Sequence, residues 1–336
     1  MVPFDAESYK TFMETKMPSW LDAHVTALDF KSFDGRMIRC YEILNPDAKG
    51  ILVMTHGYSG YFQKFHELSY NFFEEGYSIF FLELRGHGFS SRSVPELDRI
   101  DVTDFSEYVS DMKELLGQIV KPEAERTALP LFLFAHSMGG CVSALFLSRY
   151  PEYFQAAILS SPMIAINYGS TPLWRIGFMM SLSKLFGWNN RLLPGAEPFD
   201  GRPDYEGSGA LSRARYDYDF SWRVNPEMQG KISMINGTYR WSRAAFQATR
   251  EVQKCGGRIR CPLLLCQAGV DTYVDNAAQE RFMKDVEKGL LLRFPEARHE
   301  IFNSDGEILG RYYRSLFEFL EQHRSDAPRA EREGQV

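Results

Sequence analysis

The chain has 336 residues, of which 44% are hydrophobic and 24% are charged, values close to globular averages, so a disordered, collagen-like or coiled-coil chain is excluded. The length favours either one large α/β domain with an insertion or two domains. With 38 Lys and Arg against 44 Asp and Glu, the net charge of −6 provides no chain-wide positive field, and we expect no nucleic-acid partner.

The cysteines and the apolar segments bear on compartment. The chain has five cysteines, an odd number, and no two of them are spaced as Cys-x-x-Cys. This pattern favours reduced thiols over a disulfide framework or a zinc ribbon, and we expect no metal site. The first residues lack the apolar stretch of a secretory signal, and no run of 18 apolar residues occurs. A cytoplasmic location is expected, with a peripheral position on the inner face of the cytoplasmic membrane left open.

Predicted strands begin after an N-terminal extension, residues 1–25. Residues 26–43 predict a β-hairpin, because two strand-like runs flank Asp34-Gly35, a pair that favours a tight turn. Short apolar runs bounded by turn residues then follow, as is typical of strands buried on both faces of a parallel sheet. These runs are 51–55, 78–82, 131–134, 156–160, 263–266 and 290–294.

Helical patterns lie between the strands. Apolar residues recur every three or four positions at 105–119, 277–288 and 310–323, and Asp104 with Glu107 predicts a capping box. Alternating strands and helices predict a mostly parallel α/β sheet with helices on both faces and an active site at the carboxyl ends of the strands. We assign residues 26–163 and 256–323 to this core.

The alternation stops in residues 164–255, which are rich in aromatic residues, Met, Gly and Pro, and which we interpret as an inserted cap. This segment has 12 Lys and Arg against 8 Asp and Glu, so the basic charge of the chain is concentrated there. The tail at 324–336 has almost no apolar residues and is expected to be disordered.

The strongest local signal is Ala-His-Ser-Met-Gly-Gly at 135–140, between a predicted strand and a predicted helix. A serine on such a turn, flanked by small residues, is a nucleophile elbow with an exposed hydroxyl, here that of Ser137. The first small position holds Ala135 instead of glycine, a minor departure. The alternative, an ordinary helix-capping serine, does not account for the strand, turn, double glycine and helix together.

A serine nucleophile needs a base and an acid that orients the base, and in this type of sheet the acid and the base follow the last strands. Asp271 follows the run at 263–266 and His299 follows the run at 290–294, so we predict Ser137, Asp271 and His299 as the triad. Asp275 is the alternative acid, although its position favours a helix cap. The remaining histidines have no position that suits a base; they are His24, His56, His66, His87, His136 and His323.

The oxyanion formed during acyl transfer needs two donors fixed in advance. The backbone N–H of Met138, directly after the nucleophile, is one candidate. The other is the backbone N–H of Tyr58, in the His56-Gly57-Tyr58 turn after the strand at 51–55. This chemistry requires no cofactor.

At these residues the chain resembles the serine hydrolases grouped with monoacylglycerol lipases and bacterial lysophospholipases. The stretch 56–91 is similar to their oxyanion turn, helix and Arg-Gly-His-Gly loop, and 135–140 to their elbow; the likeness spans roughly 27–322 and is weak in most of the cap. The bacterial lysophospholipase branch is the most similar, through the motifs at 239–241, 274–276 and 299–301 as well as the elbow. The resemblance implies an α/β-hydrolase fold with a cap, the same triad and donors, and an ester of a single fatty acyl chain as substrate.

The apolar cap stretch 174–186 is expected to line an acyl tunnel, to rest on a membrane surface, or to pack on the core as an ordinary helix. The predicted substrate-binding residues of the cap are Phe178, Met179, Leu182, Tyr239 and Trp241. The basic residues of the cap have two interpretations, a site for a phosphate head group or anionic lipid and a solvated basic face; they include Arg191, Arg213, Arg215, Arg223, Arg240 and Arg243. The first interpretation is the only sequence reason to place a lysophospholipid ahead of a monoacylglycerol.

Other functions are weighed against this one. A monoacylglycerol lipase or a general carboxylesterase would use the same residues. An aminopeptidase on the same scaffold needs a cap carboxylate for the substrate amine, for which Glu206 and Glu227 are candidates. A non-catalytic ligand-binding protein is opposed by the intact triad, and a dehalogenase or an epoxide hydrolase would carry Asp at position 137. The oligomeric state is not predicted.

Overall fold

The computed structural model describes residues 1–324. The tail predicted to be disordered at 324–336 lies outside these residues except for Arg324, which ends the last helix. No helix within the described range is both long and apolar enough to cross a bilayer.

Within residues 1–324 the main sheet has eight strands in the order β1-β2-β4-β3-β6-β7-β9-β10. The first two strands form the predicted hairpin and β2 runs antiparallel to β4, whereas the other neighbours are parallel. The strands are β1 Val25–Lys31, β2 Met37–Ile43, β3 Gly50–Thr55, β4 Tyr77–Leu82, β6 Leu131–His136, β7 Ala156–Ser160, β9 Leu263–Val270 and β10 Gly289–Arg298; a separate pair is formed by β5 Arg99–Ile100 and β8 Asn236–Gly237. The six predicted apolar runs therefore all fall on strands.

Helices cover both faces of the sheet. They are α1 Ala6–Thr15, α2 Met17–His24, α3 His66–Glu74, α4 Phe105–Leu115, α5 Lys121–Thr127, α6 Met138–Arg149, α7 Leu173–Leu185, α8 Arg213–Arg223, α9 Tyr239–Val252, α10 Asn276–Lys284 and α11 Gly306–Arg324. One hydrophobic cluster joins the sheet to α4, α6, α9 and α10, and a second joins its other face to α1, α2, α3 and α11. Strands β3, β4 and β7 are buried along their whole length because both of their faces are covered. The predicted fold class, a mostly parallel sheet between helices, is confirmed.

Local signals set several helix ends. Asp104 caps α4 by accepting the Ser106 N–H, while Glu107 accepts the Thr103 N–H, one residue before the partner that a strict capping box would use. The predicted helix 277–288 ends earlier, at Lys284, because the chain turns through Val286 to enter β10.

The N-terminal extension is part of the packed molecule. Its helices α1 and α2 bury Tyr9, Met13, Met17 and Trp20 against the sheet face covered by α11. Val2 is also buried there. The sequence pattern had assigned no structure to this segment.

Within the predicted cap 164–255, the three helices are held differently. The buried face of α9 belongs to the same hydrophobic cluster as α4 and α6, so this helix is continuous with the core. Helix α8 carries the buried Arg215, which pairs with Glu67 of α3 at 2.8 Å. Helix α7 packs mainly through Ile176 and Met180 on a small separate cluster. The cap boundaries themselves stay a prediction.

Candidate active site

Ser137 lies on a sharp turn between β6 and α6, with a backbone φ of 53° and ψ of −118°. Few non-glycine residues adopt this conformation, so the surrounding contacts must hold it. The Ser137 N–H donates to the Ser160 carbonyl, and its own carbonyl accepts from Cys141 and Met163. Gly140 permits the close packing, because a Cβ there would lie 2.6 Å from the Pro162 Cβ.

The register of the last two strands brings Asp271 next to His299. Val270 pairs with Arg298, and each is followed directly by one of these residues. His299 Nδ1 lies 2.7 Å from Asp271 Oδ2, and His299 Nε2 lies 2.8 Å from Ser137 Oγ. The three side chains form one hydrogen-bonded series, although Ser137 lies more than 130 residues before the other two along the chain.

Both oxygens of the Asp271 carboxylate are engaged. While Oδ2 faces His299, Oδ1 accepts the backbone N–H groups of Tyr273 and Val274 at 2.9 and 3.1 Å. These bonds fix the plane of the carboxylate, so that it can hold the imidazole with the proton on Nδ1 and the lone pair of Nε2 toward Ser137.

The alternative acid, Asp275, has a different position. It caps α10 by accepting the N–H groups of Ala277 and Ala278, and its second oxygen lies 3.6 Å from Arg281. Asp271 is therefore the carboxylate in contact with His299.

The other histidines near the site are buried and neutral. His136 lies with Nδ1 3.2 Å from the Ser160 carbonyl, and burial holds its pKa well below the ordinary value. His66 is within 2.8 Å of the Tyr218 hydroxyl, and burial lowers its pKa to about 3. His56 and His87 pack on one another at 4.8 Å between ring centres, away from Ser137 Oγ. Thus His299 is the imidazole placed to accept the serine proton.

The predicted oxyanion turn lies beside Ser137, the predicted nucleophile, because Thr55 of β3 is in register with Ala135 of β6, which places residue 57 beside residue 137. The His56 side chain braces this turn: Nδ1 donates to the Gly57 carbonyl at 2.7 Å, and Nε2 accepts the Leu84 N–H at 3.0 Å. Burial lowers the pKa of His56 to about 4, so this neutral tautomer is kept at physiological pH.

The two predicted oxyanion donors are unused in the structure. Met138 opens α6, where the first N–H groups have no partner within the helix. Within residues 1–324, neither its N–H nor that of Tyr58 donates to another residue. Their role as oxyanion donors stays a prediction.

The predicted substrate-binding residues of the cap lie in separate places. Trp241 is 8% exposed and its ring contacts Tyr58 at 4.5 Å, behind the oxyanion turn. Tyr239 is buried against α7 and Trp188. On α7, Met179 is partly buried and Leu182 half-buried, whereas Phe178 is 61% exposed. Trp241 is the member in direct contact with the predicted machinery.

The cap arginines are mostly engaged within the protein, which weakens the expectation that they receive a phosphate. Their partners are Asp217 for Arg213, Glu67 and Asp305 for Arg215, the Ser59 and Met234 carbonyls for Arg223, Asp101 for Arg240, and Ser183 with Asn189 for Arg243. Among the described residues, Arg191 alone of the six has no side-chain hydrogen bond or ion pair; its guanidinium lies over the Trp188 ring at 5.7 Å. Net charge counted along the sequence does not reveal this internal pairing.

A strap from the cap covers the base. The Glu300 N–H donates to the Gly209 carbonyl at 2.9 Å, and the Tyr273 hydroxyl donates to the Gly207 carbonyl at 2.5 Å. Ser137 and His299 are only 7% and 6% exposed. Two cavities beside the predicted cap, of about 650 and about 250 Å³, are lined by residues other than Ser137. The Ser137 and His299 side chains are therefore little exposed to solvent in this conformation.

Comparison with known proteins is consistent with this geometry. Residues 46–306 match the Hydrolase_4 family, described as serine aminopeptidase S33. The chain is 27% identical over 280 residues to a probable lysophospholipase L2 of Haemophilus influenzae, covering 80% of each protein. It is 26% identical over 276 residues to a monoacylglycerol lipase of Mycolicibacterium smegmatis, covering 80% of this chain and 88% of that protein.

A solved structure shares the fold. It is a soluble variant of the Saccharomyces cerevisiae monoglyceride lipase in complex with a substrate analogue, with a TM-score of 0.71 and 20% sequence identity. The alignment covers 89% of this chain and 96% of that one.

Proposed function

The chain belongs to the Hydrolase_4 family, serine aminopeptidase S33, and from this membership we propose that it is a serine hydrolase that cleaves the carboxylic ester of a single-acyl-chain lipid. The observation that carries the proposal is the series Asp271–His299–Ser137, with spacings of 2.7 and 2.8 Å, on a strained elbow. We assign these three residues as acid, base and nucleophile.

The reaction proceeds in two steps. As the Ser137 oxygen attacks the ester carbonyl, His299 Nε2 accepts the hydroxyl proton, and Asp271 stabilises the resulting imidazolium through Nδ1–H. The protonated imidazole then donates this proton to the departing alcohol. Water, activated by the same base, hydrolyses the acyl-serine and restores the hydroxyl.

The oxyanion of each tetrahedral intermediate is bound by the backbone N–H groups of Met138 and Tyr58. Because the turn is braced by His56 and the helix by its own hydrogen bonds, neither donor must reorganise when charge develops on the oxygen.

We propose a lysophospholipid as the preferred substrate and a monoacylglycerol as the second candidate. The names of the relatives support both, through the H. influenzae and the M. smegmatis proteins. The internal pairing of most cap arginines weakens the charge-based reason for the first, so the ranking depends mainly on sequence likeness.

An aminopeptidase activity finds less support. The Glu206 side chain is 85% exposed and lies 3.6 Å from Arg298, and Glu227 is exposed beside the short helix Pro226–Met228. Both carboxylates are exposed to solvent, whereas Ser137 is buried, and this weakens their assignment as groups that receive a substrate amine. A short-chain acyl ester compared with an aminoacyl anilide separates the two activities.

We also propose that α7 rests on a membrane surface, at the inner face of the cytoplasmic membrane. Four of its large apolar residues are exposed to solvent, together with Phe186 directly after it; these four are Leu173, Trp174, Phe178 and Leu185. Arg175 and Lys184 on the same helix provide cations for anionic lipid. Burial of such a face in lipid would remove apolar area from water and hold the protein at the surface where a lipid substrate resides.

The test is a hydrolysis panel that pairs lysophosphatidyl lipids with monoacylglycerols of matched chains, measured for the wild type and for His299→Ala. We expect hydrolysis of at least one lipid class by the wild type and its loss in the variant. Labelling by a fluorophosphonate that is abolished in Ser137→Ala identifies the nucleophile. Wild-type protein that neither hydrolyses these esters nor is labelled would instead be a non-catalytic ligand-binding member of the fold.

A further inference from the structure

A cluster of buried charges lies beside the proposed base and has no part in the steps above. Lys64 Nζ lies 2.5 Å from Glu300 Oε1 and 3.3 Å from Asp219 Oδ2. All three side chains are 12% exposed. Glu300 directly follows His299, so the cluster touches the loop that carries the imidazole.

The members come from three parts of the molecule. Lys64 is in the short helix Phe62–Phe65, which follows the oxyanion turn. Asp219 is on α8, and Glu300 is in the loop after β10 that also carries His299. One ammonium group therefore links the oxyanion side of the site, the predicted cap and the base.

The other polar atoms of the cluster also have partners. Asp219 Oδ1 accepts the Tyr61 hydroxyl, and Glu300 Oε2 accepts the Asn303 side-chain amide at 2.7 Å. Arg223 stacks over the Tyr61 ring at 5.1 Å and donates to the Ser59 carbonyl at 3.1 Å. The network thereby reaches the residue that follows Tyr58.

Lys64 and Arg223 together balance the charges of the two carboxylates, Asp219 and Glu300. Burial opposes the positive charge of Lys64, but the carboxylates of Asp219 and Glu300 outweigh it and raise the lysine pKa. Displacing any one member would leave a charge unpaired in a medium of low dielectric constant. Such a network has one favourable geometry and resists movement of the loop it holds.

We infer that Lys64 is a positioning residue for the proposed reaction: through Glu300 it fixes the loop that carries His299, and through Asp219 it couples that loop to α8. The inference rests on the proposed ester hydrolysis. If the proposed function is wrong, the wild type will show no ester hydrolysis that depends on Ser137. This is measured first, so it is distinguished from a failure of the inference about Lys64.

The test uses Lys64→Met/Glu300→Gln, which removes one positive and one negative charge. The charges that remain, those of Arg223 and Asp219, are opposite and still balance each other. The matched control is Arg215→Met/Glu67→Gln, which removes a buried pair between α8 and α3 that does not contact Lys64 or Glu300. For each, kcat and KM for p-nitrophenyl butyrate are measured per active site titrated with a fluorophosphonate, together with Tm.

We expect a lower Tm for both double variants. Only Lys64→Met/Glu300→Gln should have a lower kcat, by about 10- to 100-fold, because a small misplacement of a reacting group slows the reaction by this factor. Its KM stays within about threefold of the wild-type value, and the single variant Lys64→Arg, which keeps the positive charge and Glu300, retains most of the wild-type kcat. A wild-type kcat in Lys64→Met/Glu300→Gln would overturn the inference and leave a structural ion pair. If that variant does not fold, Glu300→Gln alone, in which Lys64 keeps Asp219, provides the same comparison.

Discussion

Gly57 lies against Ser137 so closely that a Cβ at residue 57 would be 2.8 Å from the Ser137 Cβ and 3.4 Å from Oγ. Real Cβ atoms essentially never show the shorter of these distances, so the glycine is a condition for placing the oxyanion turn beside the nucleophile. The contact follows from the register of β3 with β6, and it makes the turn sensitive to one added methyl group.

Gly57→Ala is expected to lower kcat by about 10²-fold, because the turn must move away from Ser137 and carry the Tyr58 N–H with it. The measurement is kcat for a soluble ester per titrated active site. Gly117→Ala is the control, since nothing lies within 4 Å of a Cβ there, and it should retain wild-type turnover. Equal kcat in the two variants would contradict the proposed role of the turn.

Ser137→Ala is expected to lower turnover by ~10⁴- to 10⁶-fold without unfolding the protein. Ser137→Gly should be equally inactive but more stable, because glycine adopts a φ of 53° and ψ of −118° without the strain of a Cβ, about 1–3 kcal/mol for such a residue. Denaturant unfolding of the two variants measures the difference. An alanine variant as stable as the glycine variant would show that the elbow stores no strain.

Asp271→Asn should lower kcat by ~10⁴-fold, because the amide no longer holds the proton of His299 on Nδ1. Asp275→Asn is the matched control four residues away: it should alter stability by at most about 1 kcal/mol through the cap of α10 and leave kcat unchanged. The pair of measurements assigns the acid. A larger loss of kcat in the Asp275 variant would reverse the assignment.

Acid should destabilise the protein through His66. Burial lowers its native-state pKa from 6.5 to about 3, so the unfolded chain binds the proton first. The stabilising contribution is present above pH 6.5 and is lost as the pH falls toward 3, with about 2 kcal/mol lost at pH 5. Urea unfolding at pH 7.5 and pH 5 for the wild type and for His66→Gln isolates this contribution. A pH dependence that is unchanged in the variant would mean that His66 is charged in the native state.

Trp174→Ser/Leu185→Ser should weaken binding to vesicles that contain anionic lipid and leave hydrolysis of a soluble ester unchanged, because both side chains are exposed on α7. Leu290→Ser, an exposed apolar residue on β10, is the control. Cosedimentation with vesicles measures the binding. If Trp174→Ser/Leu185→Ser cosediments with the vesicles as much as Leu290→Ser and the wild type do, α7 is not the membrane-binding face.

The sequence was informative wherever the signal is local. The elbow at Ser137, the acid after β9 and the base after β10 each follow from a few neighbouring residues, and strand order then brings them together. The helix cap by Asp275 was equally local. The Lys64–Asp219–Glu300 cluster had no such signal, because its members are separated by more than 80 residues and belong to segments with different roles. The docking of α1 and α2 and the internal partners of Arg215 depend in the same way on tertiary packing.

The unequal anchoring of the cap helices has a practical consequence for protein engineering. Helix α8 is fastened by buried ion pairs, whereas α7 is held by a small apolar cluster around Ile176, Met180 and Tyr239. Segment α7 is therefore suited to grafting: another amphipathic helix that retains these contact positions could replace it and alter the exposed apolar surface, while the contacts among Ser137, Asp271 and His299 stay unchanged.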